Sequence, residues 1–480
     1  MVLKIAFLQE SDSGYPQPDK FISRLNRIAH KITAKRPLIK GLSEFIGGGI
    51  SGLSLLHQIK QNFKGRRDLQ VTIIEKDSVP GGVIRSESRK GCLFETGPEG
   101  FLNSKESTLE LIKELGLESE VVTAQSEAKL RYLYIKDKLH ALPTSPLEFF
   151  RFKPLSAFDK LRFFAEMLVA PKPNEQETIY NFGCRRFGKK FTQYFLDALA
   201  TGICAGDIHE LNLKTAFPML YEWEAKYGSV IKGLFKQGKK GEKKKPQQLC
   251  TLREGMAQLP KTLYQRYQEF IHTDEEAAVL SKFNNGYIVE TNKLKYFADY
   301  VFLCLPAYKA AELLKPLNES LAAKLNSIEY APLTVVGLVY MRASFPNPPQ
   351  GFGYLVPSGE QKKILGVLYC SNIFAHHSSP DHFLFRVMVK GAPGQAEAIH
   401  LAHEEIVKMF SVTETPADSF IAAWPKAIPQ YTTNYQAMLE PIKMALAQLG
   451  QIHIVANYIG GVGVNDCTQS AKNAVADLQI

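Results

Sequence analysis

The chain has 480 residues, 45% of them hydrophobic and 22% charged, which is enough for two or three globular domains with a sizeable core. Its seven cysteines are scattered, odd in number and form no Cys-x-x-Cys pair, which argues against a disulfide framework or a zinc site and favours a reducing compartment. The net charge of +10 suggests an anionic partner, but there is no recognised nucleic-acid motif and no apolar run long enough to span a bilayer.

The first informative element is the glycine-rich stretch FIGGGISGLSLL. Gly47, Gly49 and Gly52 fit G-x-G-x-x-G, in which glycines permit a tight turn, close approach of a pyrophosphate and close helix packing. The following helix would point its N-terminal amides at the phosphates. In the strand expected before this turn, Ser43 and Glu44 occupy positions where a buried parallel strand usually has Val or Ile. We therefore predict a shortened or rearranged first strand without regular pairing through these two residues.

The next strand, LQVTIIE, ends in Glu75, whose carboxylate can accept hydrogen bonds from a ribose diol, although a solvated charge at a strand end is the alternative. The segment PGGVIRSESRKGCLFETGP then carries the doublet Gly81-Gly82, where backbone can approach a large flat cofactor. Arg85 follows, with donors for a phosphate or for the edge of a flavin. This arrangement resembles the glycine-doublet signature of the amine-oxidase-like FAD superfamily and favours FAD over NAD.

Farther along the chain, KESTLELIKELGLESEVV predicts an amphipathic helix and LRYLYIKDKLHALP a hairpin. Residues 147–235 are predicted to be helical, either as a core subdomain or as a face that lies on an anionic membrane. A downstream lysine run could join that face or form a solvated loop; it comprises Lys239, Lys240, Lys243, Lys244 and Lys245. YVFLCLP, TVVGLVYM and HFLFRVMVKG predict strands, GFGYLVP a loop, and IHIVANYIGGVGVNDC a strand, a glycine turn and a helix.

The order of these blocks resembles the oxygen-dependent porphyrinogen oxidases, the FAD-containing protoporphyrinogen and coproporphyrinogen oxidases of haem synthesis. GGGISGL at 47, GGVIRS at 81 and ETGPEGF at 95 are shared across the superfamily. More specific to this family are TGICAGDIHELNLKTAFPMLYEWEAKYGSVIKG at 201, GFGYLVPS at 351, WPKAIPQY at 424 and GGVGVNDC at 460. The resemblance begins near Gly41, and residues 1–40 lie outside it.

The resemblance implies an α/β fold in which a Rossmann-like FAD-binding domain is interleaved with an α+β substrate domain and a helical membrane-associated subdomain. The expected parts are an N-terminal extension (1–40), three FAD-binding parts (41–104, 246–325 and 441–480), a mostly helical substrate and membrane-associated region (105–245) and a substrate-binding sheet (326–440). The implied FAD contacts, together with the motif residues above, are Gly47, Gly48, Gly49, Ile50, Ser51, Gly52, Glu75, Lys76, Gly81, Gly82, Val83, Arg85, Gly97, Pro98, Glu99, Gly100, Ala277, Val462, Gly463 and Val464.

Oxidation of a porphyrinogen removes six electrons, which suits three two-electron transfers to a flavin that O2 reoxidises with release of H2O2. No dedicated acid–base pair is required, and we assign no catalytic side chain and no metal. The histidines at 376 and 377 are predicted to be surface residues. Lys105 is a candidate cation for a substrate propionate. Ala205 and Gly206 either present backbone to the macrocycle or form an ordinary tight turn.

Three functions stay open at this point: oxidation of protoporphyrinogen IX or of coproporphyrinogen III, oxidation of another substrate by a related flavoprotein, and non-catalytic binding on the same scaffold. The expected partners are the porphyrinogen and O2, with an anionic membrane surface and a homodimer as further options and no nucleic acid. We expect a cytoplasmic protein, with peripheral attachment to the inner membrane as the alternative.

Overall fold

The computed structural model describes residues 42–66, 69–239, 247–476 and 478. The predicted extension (1–40) and most of the lysine run lie outside the described residues. The strands are β1 (Leu42–Ile46), β2 (Gln70–Ile74), β3 (Ser86–Arg89), β4 (Cys92–Glu95), β5 (Phe101–Leu102), β6 (Val121–Thr123), β7 (Arg131–Ile135), β8 (Lys138–Ala141), β9 (Leu249–Leu252), β10 (Ile271–His272), β11 (Ala277–Phe283), β12 (Gly286–Thr291), β13 (Lys295–Ala298), β14 (Tyr300–Leu303), β15 (Tyr330–Met341), β16 (Gly353–Leu355), β17 (Ile364–Tyr369), β18 (His382–Lys390), β19 (Asp418–Pro429) and β20 (Ile452–Ile454).

The α-helices alternate with these strands and concentrate between β8 and β9. They are α1 (Ile50–Asn62), α2 (Glu106–Leu115), α3 (Pro146–Arg151), α4 (Ala157–Phe164), α5 (Ile179–Arg186), α6 (Lys189–Phe191), α7 (Asp197–Cys204), α8 (Leu213–Ala216), α9 (Pro218–Tyr227), α10 (Val230–Lys239), α11 (Gln258–Tyr267), α12 (Ala307–Leu314), α13 (Glu319–Asn326), α14 (Cys370–Ile373), α15 (Gln395–Phe410), α16 (Thr433–Leu449), α17 (Asn457–Gly460) and α18 (Val464–Ala476). The predicted α/β class is confirmed.

A parallel sheet of five strands, in the order β10-β2-β1-β14-β20, forms the centre of one unit. Numbered by their appearance in the chain, these strands run 3-2-1-4-5, which is the order of the doubly wound dinucleotide-binding folds. The strand order reverses between β1 and β14. In such sheets ligands bind outside the carboxyl ends of the strands at this point, which here is the turn that follows β1.

The first strand is regular, and our prediction for it was wrong. Ser43 pairs with Val71 on one side and Tyr300 on the other, and Glu44 pairs in the same way with Thr72 and Val301. Both side chains are buried, Glu44 with 1% exposure. Burial, and secondarily the Glu275 carboxylate, raises the pKa of Glu44 from 4.5 to about 8 against the opposing effect of a hydrogen bond with Thr72. The carboxyl is therefore neutral near pH 7, which is how a parallel strand accommodates it.

The second large sheet contains seven strands in the order β19-β15-β18-β17-β16-β7-β8. All pairs are antiparallel except β16 and β7. The predicted hairpin is confirmed as β7–β8, whose turn residues Lys136 and Asp137 have positive φ. The loop predicted for GFGYLVP is wrong, because Gly353–Leu355 is the short central strand β16. Helix α15 covers one face of the sheet with Ala398, Ala402 and Ile406.

Residues 146–239 form a helical region, as predicted, with one apolar cluster of its own and a second that it shares with Leu133 and Ile135 of β7. Its polar centre is Arg186, which is fully buried and donates to Glu166, to Glu224 and to the Gly228 carbonyl oxygen. Arg185 adds a bidentate pair with Glu177. Among the described residues no helix is both long enough and apolar enough to cross a bilayer.

Candidate active site

The glycine turn that follows β1 lies at the point where the parallel sheet reverses its order. Gly47 has φ +109°, and its amide donates to the Ile74 carbonyl oxygen of β2 at 2.9 Å. A Cβ on Gly47 would lie 2.5 Å from the Cys304 carbonyl oxygen that follows β14. A Cβ on Gly52 would lie 2.1 Å from the Gly47 carbonyl oxygen. Both glycines are therefore required by the protein's own packing, because any side chain would separate the turn from the sheet or from α1.

Gly49 differs from these two glycines. It has an ordinary φ of −74° and caps α1, and no atom lies within 4 Å of the place where its Cβ would be. Nothing in the protein requires a glycine here, so the open space is available to a ligand. The first amides of α1, from Ile50, Ser51 and Gly52, have no acceptor within the helix and carry the positive end of its dipole. The turn therefore fits a pyrophosphate.

Glu75 lies directly beside this turn, at the end of β2. One carboxylate oxygen accepts the Gly48 amide at 2.6 Å, and the other accepts the Asp77 amide at 2.8 Å. The side chain is 7% exposed, so it is not the solvated strand-end charge that was the alternative. Each carboxylate oxygen has a further lone pair with which it could accept a ribose hydroxyl. Ala277 is close in the chain to Glu275, whose amide donates to the Glu75 carbonyl oxygen at 2.9 Å.

The glycine doublet joins the same turn. The Gly81 amide donates to the Gly48 carbonyl oxygen at 2.9 Å, and Gly82 approaches Gly49 without a side chain between them. The Arg85 guanidinium donates to Asp77 at 2.6 Å and to the Gly82 carbonyl oxygen at 3.1 Å. The structure thus brings residues 47–52, 75–77 and 81–85 together, with Lys76 exposed at their edge and also paired to Asp77. Which of them contact a cofactor stays a prediction.

The segment ETGPEG, residues 95–100, packs against the doublet. A Cβ on Gly97 would lie 2.1 Å from the Val83 carbonyl oxygen, and one on Gly100 would lie 2.3 Å from that of Cys250. The buried Glu95 accepts the Met256 amide and the Ser86 hydroxyl, both at 2.8 Å. Burial raises the pKa of Glu95 to about 7. Pro98 lies between Gly97 and Glu99 and fixes the local φ.

The Glu99 side chain turns toward the large sheet. It accepts Arg386 of β18 at 2.8 Å and lies 3.4 Å from Nδ1 of His377. Burial alone would raise the pKa of Glu99, but His377 and Arg386 hold it at about 2. The prediction that both histidines lie on the surface was wrong. His377 is completely buried, and its neighbour His376 is half-buried with its pKa lowered to about 4, mainly by burial.

The third glycine turn precedes α18, whose first residues come close to α2. Asp466 accepts the Gly463 amide at 3.1 Å and also pairs with Lys105. Val464 is buried, and Val462 packs against the core around β14. The Asn465 side chain donates to the Leu102 carbonyl oxygen at 2.9 Å. Lys105 is therefore held beside the turn at 462–464, with 60% of its side chain exposed.

Ala205 and Gly206 lie at the end of α7, against Gln430, the residue that follows β19. Ala205 has φ +51°, and a Cβ on Gly206 would lie 2.2 Å from Oε1 of Gln430. The Gln430 amide donates to the Cys204 carbonyl oxygen at 2.9 Å. A tight turn accounts for these contacts, and a role in substrate binding stays a prediction. Within the described ranges no group of His, Cys, Asp and Glu side chains is arranged to hold a metal ion.

Several residues that organise this site were missed by the sequence analysis. Asp77 and Asp466 anchor Arg85 and Lys105, and Arg386, His377 and Trp424 reach the segment at 95–100 from the large sheet. Two local signals were available: the acid in GVGVNDC, which caps its own glycine turn, and Asp77, which lies eight residues before Arg85. The other contacts join residues hundreds of positions apart, so no spacing pattern could reveal them.

Comparison with known proteins agrees with this geometry. The family model described as flavin containing amine oxidoreductase matches residues 50–479. The protoporphyrinogen oxidase of Homo sapiens is 30% identical, with 90% of this chain and 97% of that protein covered. The coproporphyrinogen III oxidase of Bacillus subtilis (strain 168) is 26% identical, with 90% and 96% covered. A crystal structure from Exiguobacterium sp. 255-15, provisionally assigned as a protoporphyrinogen oxidase, has a TM-score of 0.79 at 21% identity and covers 91% of this chain and 98% of that one.

Proposed function

Because the chain belongs to the flavin-containing amine oxidoreductase family, we propose that it binds FAD and oxidises a porphyrinogen to a porphyrin in haem biosynthesis. The observation that carries the proposal is the open space at Gly49, which lies where the parallel sheet reverses its strand order. The chain that contains this space matches porphyrinogen oxidases over nine-tenths of its length. This space suits a dinucleotide, and the relatives indicate its substrate.

In this function the protein's own residues bind and orient the reactants. The amides of α1 hold the pyrophosphate, and Glu75 accepts ribose hydroxyls. When bound, FAD supplies the two-electron acceptor chemistry that removal of hydrogen from the carbon bridges of a porphyrinogen requires. Lys105 meets a propionate at the substrate rim, where it would exchange its partner Asp466 for the substrate carboxylate. With O2 as the final acceptor, one porphyrinogen and three O2 give one porphyrin and three H2O2.

The main test uses the purified full chain. Flavin released on denaturation should be FAD, and incubation under air with protoporphyrinogen IX should produce porphyrin fluorescence together with three equivalents of H2O2. A heat-denatured sample, run in parallel, corrects for spontaneous oxidation. Bound flavin without a fluorescence gain from either protoporphyrinogen or coproporphyrinogen would contradict the porphyrinogen assignment and favour another oxidase of the family.

Coproporphyrinogen III is the second candidate substrate, because one relative that covers 90% of the chain carries that activity in its name. It has four propionates where protoporphyrinogen IX has two, so a site with more cationic contacts would favour it. The same assay, run with both substrates at equal concentration, distinguishes them by the ratio of kcat/KM.

We further propose that the helical region attaches the protein to an anionic membrane surface. Its exposed apolar side chains include Phe158 and Leu168, which are 74% and 88% exposed. Nearby Lys189 and Lys190, with Phe158, line an open cavity of about 520 Å³. Apolar anchors beside lysines suit the headgroup layer of an anionic bilayer. The exposed apolar and basic side chains of this region that we assign to the membrane-facing surface are Leu147, Phe150, Arg151, Lys153, Phe158, Leu161, Leu168, Lys189, Lys190, Lys232, Leu234, Phe235 and Lys236.

Vesicle sedimentation tests this attachment. The wild-type protein should bind vesicles that contain phosphatidylglycerol and not vesicles of phosphatidylcholine alone. The double variant Leu161→Ser, Leu168→Ser should bind about tenfold more weakly or worse. Met444→Ser is the matched control, because Met444 is also an exposed apolar side chain, at 65%, on α16 outside this face. Equal losses in both variants, or no binding of the wild type, would contradict the proposal.

A further inference from the structure

The segment at 95–100, which contains four of the predicted FAD contacts, is held in place by side chains of the large sheet. Trp424 of β19 donates its indole N–H to the Thr96 carbonyl oxygen at 3.0 Å. Arg386 of β18 donates both to the Gly97 carbonyl oxygen and to the Glu99 carboxylate. Strands β18 and β19 of the large sheet thus donate hydrogen bonds to three acceptors within the four consecutive residues 96–99.

On the opposite side, the same segment lies directly on the glycine doublet. A Cβ on Gly97 would be 2.1 Å from the Val83 carbonyl oxygen, so the backbone leaves no room for a side chain there. Thr96 also bonds back to Arg85, with its amide donating to the Arg85 carbonyl oxygen at 2.9 Å. Residues 96–99 are therefore clamped between the doublet and the large sheet.

A buried ion pair contributes little net stability to the contact between two parts of a protein, because burial removes the hydration of both charges. An apolar pair would pack equally well without that cost in free energy. Arg386 and Glu99 are 7% and 9% exposed on their side chains, and His377 is fully buried against the same carboxylate. An apolar pair could not, however, fix the orientation of the groups that it joins, whereas hydrogen bonds can. The arginine fork binds a carbonyl oxygen and a carboxylate in a fixed relation, which sets the orientation of the planar peptide group between Gly97 and Pro98.

We propose that Arg386, Glu99, His377 and Trp424 form a positioning cluster that fixes residues 96–99 against the flavin ring. Through this cluster the large sheet determines where the ring lies. This rests on the proposed FAD site. It assigns no chemical step to these side chains. Its consequence is that disturbance of β18 should be visible in the environment of the bound flavin before any substrate is present.

The test measures FAD affinity, the visible circular dichroism of the bound flavin and its midpoint potential, all without porphyrinogen. Arg386→Gln should weaken FAD binding about tenfold or more, because a charge-assisted hydrogen bond and a carbonyl contact are lost. It should also change the flavin dichroism and shift the midpoint potential, since Glu99 is left without its main counter-charge. Arg386→Lys should not restore the dichroism, because an ammonium cannot bind both acceptors as a fork.

Trp424→Phe is the milder variant and keeps the test decisive if Arg386→Gln fails to fold. It removes one N–H donor and should change the flavin dichroism in the same direction by a smaller amount. The matched control is Glu405→Gln, which breaks the pair between Lys362 and Glu405 beside the same sheet, separated by 2.9 Å and 19% and 8% exposed. That variant should lower the thermal midpoint and leave the flavin dichroism and the FAD affinity unchanged.

Two results would overturn the inference: variants of Arg386 and Trp424 whose flavin dichroism and affinity match the wild type, or a control variant that changes both as much as they do. A wild-type protein that binds no flavin would refute the proposed function itself and this inference with it. If the wild type binds flavin and the variants of Arg386 and Trp424 match it in flavin dichroism and affinity, only the positioning cluster is refuted.

Discussion

Replacement of Glu44 by Gln tests the charge state of the buried first strand. Glu44 pairs on both sides within the parallel sheet and is 1% exposed, and its pKa is raised from 4.5 to about 8, first by burial and then by Glu275. The folded protein therefore holds a proton on this carboxyl that the unfolded chain releases above about pH 4.5. Folding takes up a proton throughout this interval, so the stability falls as pH rises from about 4.5 to about 8.

The size of the effect follows from the interval. Each pH unit within it costs about 1.4 kcal/mol, so the wild type should lose roughly 3 kcal/mol at this residue between about pH 5 and about pH 7.5. Gln is neutral at both values and close in shape, so Glu44→Gln should lack this loss. For a chain of 480 residues that unfolds as one unit, the entropy of unfolding is about 1 kcal/mol/K, and the difference corresponds to about 3 °C.

The assay is thermal unfolding of wild type and Glu44→Gln, with saturating FAD, at both pH values. The variant should melt above the wild type at the higher pH by about 3 °C more than it does at the lower pH. Glu276→Gln removes the same charge from an exposed neighbour of Glu275 and should show no such pH dependence. The reasoning is refuted if the difference between wild type and Glu44→Gln is the same at both pH values.

Four further substitutions test the site and its support. Gly49→Ala should leave the stability of the cofactor-free protein unchanged and weaken FAD binding at least tenfold. Gly52→Ala should instead destabilise the cofactor-free protein by about 1–3 kcal/mol, because its methyl group clashes with the turn. Full FAD affinity in Gly49→Ala, measured by fluorescence titration, would place the pyrophosphate elsewhere. Glu75→Gln should weaken FAD binding about tenfold or more, because an amide offers one acceptor oxygen to two backbone donors; an unchanged dissociation constant would refute this. Glu166→Ala leaves Arg186 without its nearest buried counter-charge and should cost about 3–5 kcal/mol, seen as a lower thermal midpoint and faster proteolysis within residues 146–239; unaltered digestion there would contradict it.

The glycine turn after β1 was predictable because most of its requirements are local. Gly52 is needed by its contact with the Gly47 carbonyl oxygen, five residues earlier, and such a contact imposes a fixed spacing on the sequence, whereas Gly47 also depends on the distant Cys304. The hairpin at Lys136 and Asp137 was predictable for the same reason. The family resemblance extended this information to the order of the remaining elements.

The errors arose where distant residues decide the outcome. Ser43 and Glu44 suggested a broken strand, but the ladders from β2 and β14 supply the backbone hydrogen bonds, and the raised pKa of Glu44 removes the charge. His377 looked like a surface residue because its partner Glu99 is far away in the chain. GFGYLVP was predicted to be a loop, yet β7 and β17 pair with Gly353–Leu355 on either side. None of these partners can be recognised from local composition.

The 3-2-1-4-5 order of the parallel sheet also has a consequence for synthesis on the ribosome. Helix α1 emerges roughly 400 residues before α18, yet its buried leucines share a core with Val464, Cys467 and Ala471 of α18. Translation at about 5–20 residues per second would leave that surface uncovered for tens of seconds. The nascent chain therefore cannot complete this core until α18 has been made. We expect flavin to be acquired only after α18 has packed on α1, and a messenger truncated before the codons for α18 to yield an aggregation-prone product rather than a partly active enzyme.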